Sequence, residues 1–358
     1  MFGKLRLLTA GESHGKALAG ILEGLPAGLN IDPSIIDHHL QRRQRGYGRG
    51  GRMKIESDQV EIVSGVRWGL TIGSPITLIV YNRDWKNWQE GMSIDPLFKD
   101  YIPPITKPRP GHADLTGVLK FGFRDARNVL ERSSARETAM RVALAALARQ
   151  MLSAFGIEVF SFVLSVGPVC VDDSFLFDPD SDFESLFALA ESSDVRCHDS
   201  SATIAMKEAI DKASGDGDTL GGRFAVVIKG APVGLGSHIQ WDRRLDARLA
   251  YALMGIQAIK GVEIGKGIDM SKGKGSTVMD EIFYEPQRGY YRKTNYAGGI
   301  EGGMTNGMPI VIRAAMKPIP TLKRPLASVD FVTKEPYKAA YERSDVCAVP
   351  AALSLIHI

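Results

Sequence analysis

A long apolar helix, predicted over about 135–154, constrains the fold more than any other feature of this sequence. Met140, Leu144, Leu147 and Met151 recur there at the spacing of one helix face. Short apolar runs typical of strands lie on both sides of it, without the regular alternation of strand and helix that builds a doubly wound sheet. The pattern therefore predicts an α+β fold. The predicted strands are 4–10, 60–65, 76–81, 157–166, 223–229 and 309–316, and a further helix is predicted near 202–213.

Two helix starts are marked by capping residues. Ser134, with Glu137 three residues later, matches a capping box and places the start of the long helix. Asp32 followed by proline matches an N-cap with proline at the first helical position. That helix is expected to end before Gly46. The interval 172–195 holds eight acidic and no basic residues, so it is expected to be a solvated insertion.

Composition excludes several classes of protein. The 358 residues carry 44 basic and 41 acidic side chains, a net charge of +3, and the length fits about two domains or one large unit. Cys170, Cys197 and Cys347 are odd in number and show no CxxC spacing, which excludes a disulfide framework and a cysteine zinc site. We expect no metal site and a reducing, cytoplasmic location. No apolar run approaches the roughly 18–20 residues of a membrane span.

A local basic cluster stands out against this nearly neutral chain. It contains Arg42, Arg43, Arg45, Arg49, Arg52 and Lys54, without any acidic residue. Such a segment could bind nucleic acid, clamp phosphate or carboxylate groups through guanidinium forks, or simply be solvated. The low overall charge weakens the nucleic-acid hypothesis, because a duplex needs a broad basic face.

A second basic motif surrounds the start of the long helix. Arg132 and Arg136 flank Ser134, so backbone N–H groups, the helix dipole and two guanidinium groups could form an anion site there. In the alternative interpretation Ser134 only caps the helix and both arginines are solvated.

Two histidines lie beside glycines in loops. His14 is in Gly-Glu-Ser-His-Gly (11–15) and His112 is in Arg-Pro-Gly-His-Ala-Asp (109–114). Glycine leaves the imidazole approachable, and the basic neighbours of His112 favour its neutral form. Each could also be an ordinary surface histidine.

Taken together and in this order, these motifs resemble the signature set of the chorismate synthase family. The matching segments are 11–15, 23–26, 109–114, 131–138, 237–242, 260–265 and 343–345. The resemblance runs from residue 4 to about 352. It implies a β-α-β sandwich forming a single compact unit over 1–352, assembled as a homotetramer.

The resemblance also implies a reaction. Members of the family are lyases of the shikimate pathway, in aromatic amino acid biosynthesis, that convert 5-enolpyruvylshikimate 3-phosphate to chorismate and phosphate by anti-1,4-elimination. They use reduced FMN, which lends an electron and takes it back. No flavin reductase domain is recognised here, so an external reductase is expected to supply reduced FMN, with NADPH as a candidate electron source.

Roles are carried over by position. His14 is expected to protonate the departing phosphate as general acid, His112 to protonate or hydrogen-bond the reduced flavin near its N1/O2 edge, and Asp345 to help relay the proton taken by flavin N5. The residues expected to bind substrate are Arg43, Arg49 and Arg136. The residues expected to bind flavin are Arg132, Ser133, Ser134, Gln257, Ala258, Gly302, Lys317, Pro318, Ile319, Pro320, Thr321 and Arg343.

The end of the chain departs from the family pattern. Family members continue after about residue 352 through a further helix, whereas this chain continues with Leu-Ser-Leu-Ile-His-Ile (353–358). That hexapeptide is what a transposase mosaic-end adapter encodes when it is translated. Residues 353–358 are therefore expected to be a non-native tail, and His357 is expected to have no role.

Overall fold

A computed structural model of the chain describes residues 5–49, 57–339 and 345–356. Its helices are α1 Pro33–Gln44, α2 Asp114–Phe121, α3 Arg127–Ser133, α4 Thr138–Ala154, α5 Phe183–Ser192, α6 Ser200–Gly215, α7 Leu245–Met254, α8 Gly275–Val278 and α9 Val349–Ala352. Its strands are β1 Arg6–Ala10, β2 Ala17–Glu23, β3 Glu61–Ser64, β4 Val66–Arg67, β5 Leu70–Thr71, β6 Ile76–Tyr81, β7 Glu158–Val166, β8 Val169–Cys170, β9 Gly222–Lys229, β10 Ile259–Ile264, β11 Phe283–Glu285, β12 Gly289–Tyr291, β13 Ile300–Glu301, β14 Met304–Thr305, β15 Ile310–Met316, β16 Ala327–Val329 and β17 Pro336–Lys338. These named strands pair antiparallel, which confirms the α+β class.

The chain forms two compact units that are interleaved in sequence. The first contains residues 1–150, 212–219 and 319–346, and the second contains 151–211, 220–318 and 347–358. Each unit is thus assembled from separate segments, which explains why no linker of low complexity divides the sequence. The expectation of a single compact unit over 1–352 does not anticipate this interleaving.

The core of the first unit lies between α4 and a four-stranded sheet of order β1-β2-β6-β3. Alternate residues of β2 and β6 are buried, as in a sheet with one solvated face. Gly20 lets α4 approach this sheet closely, because a Cβ at that position would lie 2.5 Å from the sulfur of Met140 and 2.9 Å from Leu144 Cδ1. The apolar helix face predicted from sequence is therefore the face that packs on the sheet.

The core of the second unit is built on a five-stranded sheet of order β10-β15-β9-β7-β8. Aromatic and aliphatic residues of β7, β9 and β15 pack with Leu176, Phe177, Phe183 and Ala190. These last residues belong to the acidic interval 172–195. The expectation of a solvated insertion was therefore wrong, because the apolar residues between the acids bury one face of α5, and Asp173 and Glu191 pair with the buried Arg313 and Arg196.

The two helix starts differ in how well they match their sequence signals. α1 begins as predicted, with the Asp32 carboxylate accepting a hydrogen bond from Ser34 N at 2.8 Å. The long helix begins later than predicted, because a 3₁₀ turn over Ala135–Glu137 precedes it. Ser134 caps that turn by accepting from Arg136 N at 3.3 Å. The Glu137 carboxylate does not complete a capping box and instead pairs with Arg141 at 2.8 Å, one helical turn along.

The end of the second unit is buried as far as it is described. Leu353 is fully buried, and Ser354 Oγ accepts a hydrogen bond from Arg196 Nη1 at 3.0 Å. These contacts do not bear on the origin of residues 353–358, which stays a prediction, and His357 lies outside the described residues. Within the described ranges, no helix is both long and apolar enough to span a membrane.

Candidate active site

The loop between β1 and β2 carries His14 and depends on glycine at its first position. Gly11 has a φ of 101°, and a Cβ there would lie 2.4 Å from the carbonyl oxygen of Ala17. Only glycine fits this conformation and this close approach. The turn brings Ser13 and His14 to the C-terminal end of α3.

His14 is held by a buried glutamate of α3. Its Nδ1 lies 2.8 Å from Glu131 Oε1, and its backbone N–H donates to Glu131 Oε2 at 2.7 Å. The side chain of Glu131 is 4% exposed and that of His14 is 20% exposed. Among the residues that the structure describes, no protein group hydrogen-bonds to His14 Nε2. The ring is therefore fixed at one nitrogen and accessible at the other.

An aromatic ring covers one side of His14. Trp88 stacks on the imidazole with ring centroids 4.1 Å apart and planes inclined by 28°. The Trp88 indole N–H donates to Asp84 at 3.2 Å, which orients it. The guanidinium of Arg127 lies over the Trp88 ring at 5.4 Å, and its buried Nε has no hydrogen-bond partner in the described structure.

The segment after α3 is joined to the His14 loop. Ser13 Oγ lies 3.0 Å from Ser134 Oγ, and Arg132 Nη2 donates to the carbonyl and hydroxyl oxygens of Thr9. Ser133 instead donates its hydroxyl to Val129 O inside the helix. Two motifs more than 115 residues apart in sequence, at residues 11–15 and 131–134, thus form one cluster.

Two of the predicted substrate-binding arginines are buried beneath this cluster. Arg43 donates to Thr138 Oγ1 and Ala135 O at 2.9 Å each, and Arg136 donates to Asn82 Oδ1 at 2.7 Å. Both face the buried Asp58, at 2.5 Å for Arg136 and 3.6 Å for Arg43. Burial lowers the pKa of Arg43 to about 10, with Asp58 opposing and Arg136 adding to that shift. The two guanidinium groups therefore stabilise the fold by joining buried segments.

The third predicted substrate-binding arginine pairs with a predicted catalytic residue. Arg49 Nη1 lies 2.7 Å from Asp345 Oδ2, with side chains 12% and 20% exposed. The neighbouring backbone is joined as well, since Val346 N donates to Gly48 O at 2.9 Å. Arg52, Lys54 and the predicted flavin ligand Arg343 lie outside the described residues.

His112 forms a second histidine–carboxylate pair, with its partner close by in sequence. Its Nδ1 hydrogen-bonds to Asp114 Oδ1, and Asp114, 1% exposed at its side chain, is the first residue of α2. Arg109 donates to Asp114 Oδ2 from both its backbone N–H and its Nε at 3.0 Å. Burial by itself would raise the pKa of Asp114, but the hydrogen bonds from His112 and Arg109 outweigh it and lower the pKa to about 2.

A cavity of about 380 Å³ lies beside this second pair. Its size falls within the range of small-molecule sites. Lys107 and Arg109 give it a cationic lining, which suits an anionic ligand. The lining residues are Pro104, Ile105, Thr106, Lys107, Arg109, Asp114 and Leu130.

The predicted flavin-binding residues fall into two groups. In the first unit, Arg132, Ser133 and Ser134 belong to the His14 cluster. The segment 319–321 also lies in this unit. The carbonyl oxygen of Ile319 accepts a hydrogen bond from Thr219 Oγ1 at 2.7 Å, Pro320 follows, and Thr321 is buried. The second unit contains Gln257, Ala258, Gly302, Lys317 and Pro318.

Backbone geometry distinguishes Ala258 and Gly302 within the second group, and a main-chain hydrogen bond joins Ala258 to Lys317. Ala258 has a φ of 68°, and its carbonyl oxygen accepts from Lys317 N at 2.9 Å. A left-handed alanine is strained and persists only where its surroundings hold it. Gly302 is exposed with a φ of 57°, and a Cβ there would meet only His238 Cβ, at 4.0 Å.

Sequence reasoning missed the residues that support the two histidines. Asp114 lies two residues after His112 in the motif already singled out, so its spacing could have indicated the pair. Glu131 lies within another recognised motif, but nothing in its spacing points to His14. Trp88 and Asp58 carry no sequence signal, because their partners are brought to them by the tertiary fold.

Three comparisons with known proteins agree. Residues 5–357 match the family described as Chorismate synthase. The chain is 58% identical over 356 residues to the chorismate synthase of Pelobacter propionicus, covering 98% of this chain and 89% of that protein. It is also 58% identical over 355 residues to that of Geobacter metallireducens, covering 97% and 89%.

A solved structure extends the agreement to the fold. The solved structure titled "Crystal Structure of Chorismate Synthase" is 45% identical in sequence and superposes with a TM-score of 0.78. The match covers 99% of this chain and 88% of that chain. The fold class predicted from the sequence resemblance is thereby confirmed. The chain belongs to the chorismate synthase family, the lyases that form chorismate in the shikimate pathway.

Proposed function

We propose that this chain converts 5-enolpyruvylshikimate 3-phosphate to chorismate and phosphate by anti-1,4-elimination with reduced FMN, and that His14 is the general acid. The observation that carries this role is the geometry of the imidazole. Its Nδ1 is held 2.8 Å from the buried Glu131 carboxylate, while Nε2 has no protein partner in the described ranges. A histidine so fixed can deliver a proton from Nε2 to an oxygen of the departing phosphate.

The surroundings of His14 suit a leaving phosphate. The guanidinium of Arg127 lies over the ring of Trp88, which stacks on His14, and the buried Nε of Arg127 has no hydrogen-bond partner in the described structure. Arg132 is 41% exposed at its side chain and so can still approach an anion. Burying a substrate with two carboxylates and a phosphate requires such cations, because desolvation of unpaired charge is prohibitive.

The chain's own residues fit a bound flavin. The strained Ala258, held by its hydrogen bond from Lys317 N, and the exposed backbone at Gly302 are each open to a ligand's approach to the main chain. When bound, reduced FMN supplies transient electron density to the elimination without net oxidation. We assign its binding to Arg132, Ser133, Ser134, Gln257, Ala258, Gly302, Lys317, Pro318, Ile319, Pro320, Thr321 and Arg343.

His112 and Asp345 complete the proposed catalytic set. His112 is oriented by Asp114 and lies within reach of the Arg109 guanidinium, and we assign to it the role of protonating or hydrogen-bonding the reduced flavin. Asp345 is engaged by Arg49, so a proton-relay role requires that ion pair to open or to share the carboxylate. Arg49 would bind substrate directly, whereas the buried Arg43 and Arg136 would act by fixing the site from beneath.

The nucleic-acid alternative has no support. In the described part of the basic segment, Arg43 is directed to Asp58 and Arg49 to Asp345. Arg42 is buried. A footprint on nucleic acid would need these cations on an open face.

A homotetramer is supported by the outward face of the first unit's sheet. Leu8 and Ile21 pair directly across β1 and β2 and are 61% and 40% exposed. Paired apolar side chains on an open sheet face are typical of a subunit contact. Light scattering behind size-exclusion chromatography tests this proposal: a mass near 39 kDa, that of one chain, would refute it.

We further propose a cytoplasmic location and an external flavin reductase, with NADPH as a candidate electron source. Cys170, Cys197 and Cys347 are free thiols, which fits a reducing compartment. Adding NADPH and FMN without a reductase, under anaerobic conditions, tests whether the chain reduces flavin by itself.

The experiment that tests the function is anaerobic turnover. Purified protein, chemically reduced FMN and 5-enolpyruvylshikimate 3-phosphate are mixed, and chorismate is followed by its ultraviolet absorbance. Turnover that disappears without flavin supports the proposal. Absence of turnover from a folded protein that binds FMN would refute it.

A further inference from the structure

We infer that Glu131 is the positioning residue of His14: it holds Nδ1 as the hydrogen-bond donor, so that Nε2 is the nitrogen that delivers the proton. The inference rests on the proposed function in one respect, that the proton goes to the leaving phosphate. The orientation of the ring itself follows from contacts within the first unit alone.

Three contacts join Glu131 to the His14 loop. Its Oε1 faces His14 Nδ1 at 2.8 Å and its Oε2 accepts the backbone N–H of His14 at 2.7 Å. Its main-chain oxygen accepts the N–H of Ser13 at 3.0 Å. Both carboxylate oxygens are thus directed to one residue, which leaves the ring little freedom to rotate.

A carboxylate accepts hydrogen bonds and cannot donate them when it is ionised. An imidazole nitrogen this close to it must therefore carry the hydrogen, which assigns the proton of the neutral ring to Nδ1. A second proton, when His14 is charged, then lies on Nε2, the nitrogen without a protein partner. The geometry thus determines which nitrogen can act as the acid.

The position of Glu131 is unfavourable for a carboxylate unless a positive partner is present. It is buried and lies in the last turn of α3, where the helix dipole opposes negative charge. Among the described residues, no lysine or arginine pairs with it, and His14 is its one cationic partner. Glu131 is therefore placed to compensate the charge of a protonated His14.

The first measurement is the protonation pattern of the ring in the unmodified protein. Magic-angle-spinning NMR of protein labelled with ¹⁵N-histidine reports which nitrogen carries hydrogen, and the His14 signal is assigned by its loss in His14→Ala. A neutral ring with hydrogen on Nδ1 is expected. Hydrogen on Nε2 would overturn the inference, whether or not any variant folds and whether or not the protein turns over.

The second measurement is a double-mutant cycle in the turnover assay. Glu131→Gln is expected to lower kcat at least about 10-fold while KM changes less than about 2-fold, since Glu131 is not proposed to touch substrate. In the His14→Ala background the same change should alter kcat less than about 2-fold. An equal loss in both backgrounds would mean that Glu131 is only structural, and would overturn the inference.

Asp280→Asn is a matched control in the second unit. The Asp280 carboxylate is half-buried and accepts from Thr294 Oγ1, Tyr296 N and Ala297 N. The Asp280→Asn variant should lower the free energy of unfolding while leaving kcat unchanged, whereas Glu131→Gln should lower kcat. If kcat cannot be measured because unmodified protein does not turn over, the proposed function fails and the NMR result still decides the inference.

Discussion

The two histidine sites of the first unit use the same kind of pair in opposite ways. His14 is held by Glu131, which lies 117 residues away in sequence, whereas His112 is held by Asp114, two residues along the same loop. Glu131 lies at the end of a helix and Asp114 at the beginning of one. The first pair therefore depends on the docking of two distant segments, and the second on local structure.

The charge around each pair differs as well. Asp114 is shared between His112 and Arg109, so its negative charge is already compensated when the ring is neutral. Glu131 has no such second cation among the described residues. One fold thus surrounds two similar histidines differently: His14 is the one charged partner of Glu131 among the described residues, whereas Asp114 also binds Arg109, so the two rings can take different roles.

The largest effect on turnover should come from removing the imidazole of His14. We expect His14→Ala to lower kcat by about 10²–10⁴, the usual contribution of general acid catalysis. His112→Ala should also lower kcat at least about 10-fold, through loss of the group proposed to protonate or hydrogen-bond the flavin. Both are measured as anaerobic chorismate formation with reduced FMN. Full activity in His14→Ala would remove the distinction between the two sites.

The packing of the His14 loop against its neighbours can be disrupted by a substitution that leaves His14 itself unchanged. Gly11→Ala places a Cβ 2.4 Å from Ala17 O at a φ of 101°. It should lower the free energy of unfolding by at least about 2 kcal/mol and reduce activity. Gly28→Ala is the matched control, because its φ is 84° but nothing lies within 4 Å of a Cβ there. Its cost should be about 1 kcal/mol in urea denaturation. Equal losses of stability in the two variants would show that the positive φ, and not the close approach to Ala17 O, makes glycine necessary at position 11.

The charge sharing at the His112 site predicts a pH dependence of stability. The pKa of Asp114 is lowered from 3.8 to about 2, so its stabilising contribution is complete above pH 3.8 and is lost as pH falls to about 2. Asp114→Asn should therefore be less stable than the unmodified protein at pH 7, with a difference that narrows toward pH 2. Urea midpoints at pH 7, 3 and 2 measure this. A difference independent of pH would contradict the assignment.

The smallest effect should come from the ring that covers His14. Trp88→Leu removes the aromatic stack at 4.1 Å, and such pairs contribute about 0.5–1.5 kcal/mol beyond burial, so kcat should fall by less than about 10-fold. Trp241→Leu, at an exposed tryptophan of the second unit, is the control and should have no effect. A loss as large as that of His14→Ala would mean that Trp88, rather than Glu131, sets the ring's position.

Much of the fold was accessible from local patterns. The Asp32 cap with its proline gave the start of α1, and apolar spacing gave α4 and the long strands. The acidic interval misled, because its charged residues conceal a helix whose apolar face is covered only by a sheet formed elsewhere in the chain. The capping box failed in part, since Glu137 had a better partner in Arg141.

The contacts of the candidate site likewise divide into local ones and ones formed between distant segments. The contacts of the His112 loop are encoded within one six-residue motif, because Arg109, His112 and Asp114 meet through short-range geometry, although only the structure revealed that Asp114 pairs with His112. The packing of distant segments sets the other contacts: Glu131 holds His14, Trp88 covers it, and Arg43 and Arg136 face Asp58. The physical reason is chain distance: contacts between segments tens of residues apart follow from how a sheet and a helix pack, and no spacing in the sequence records that.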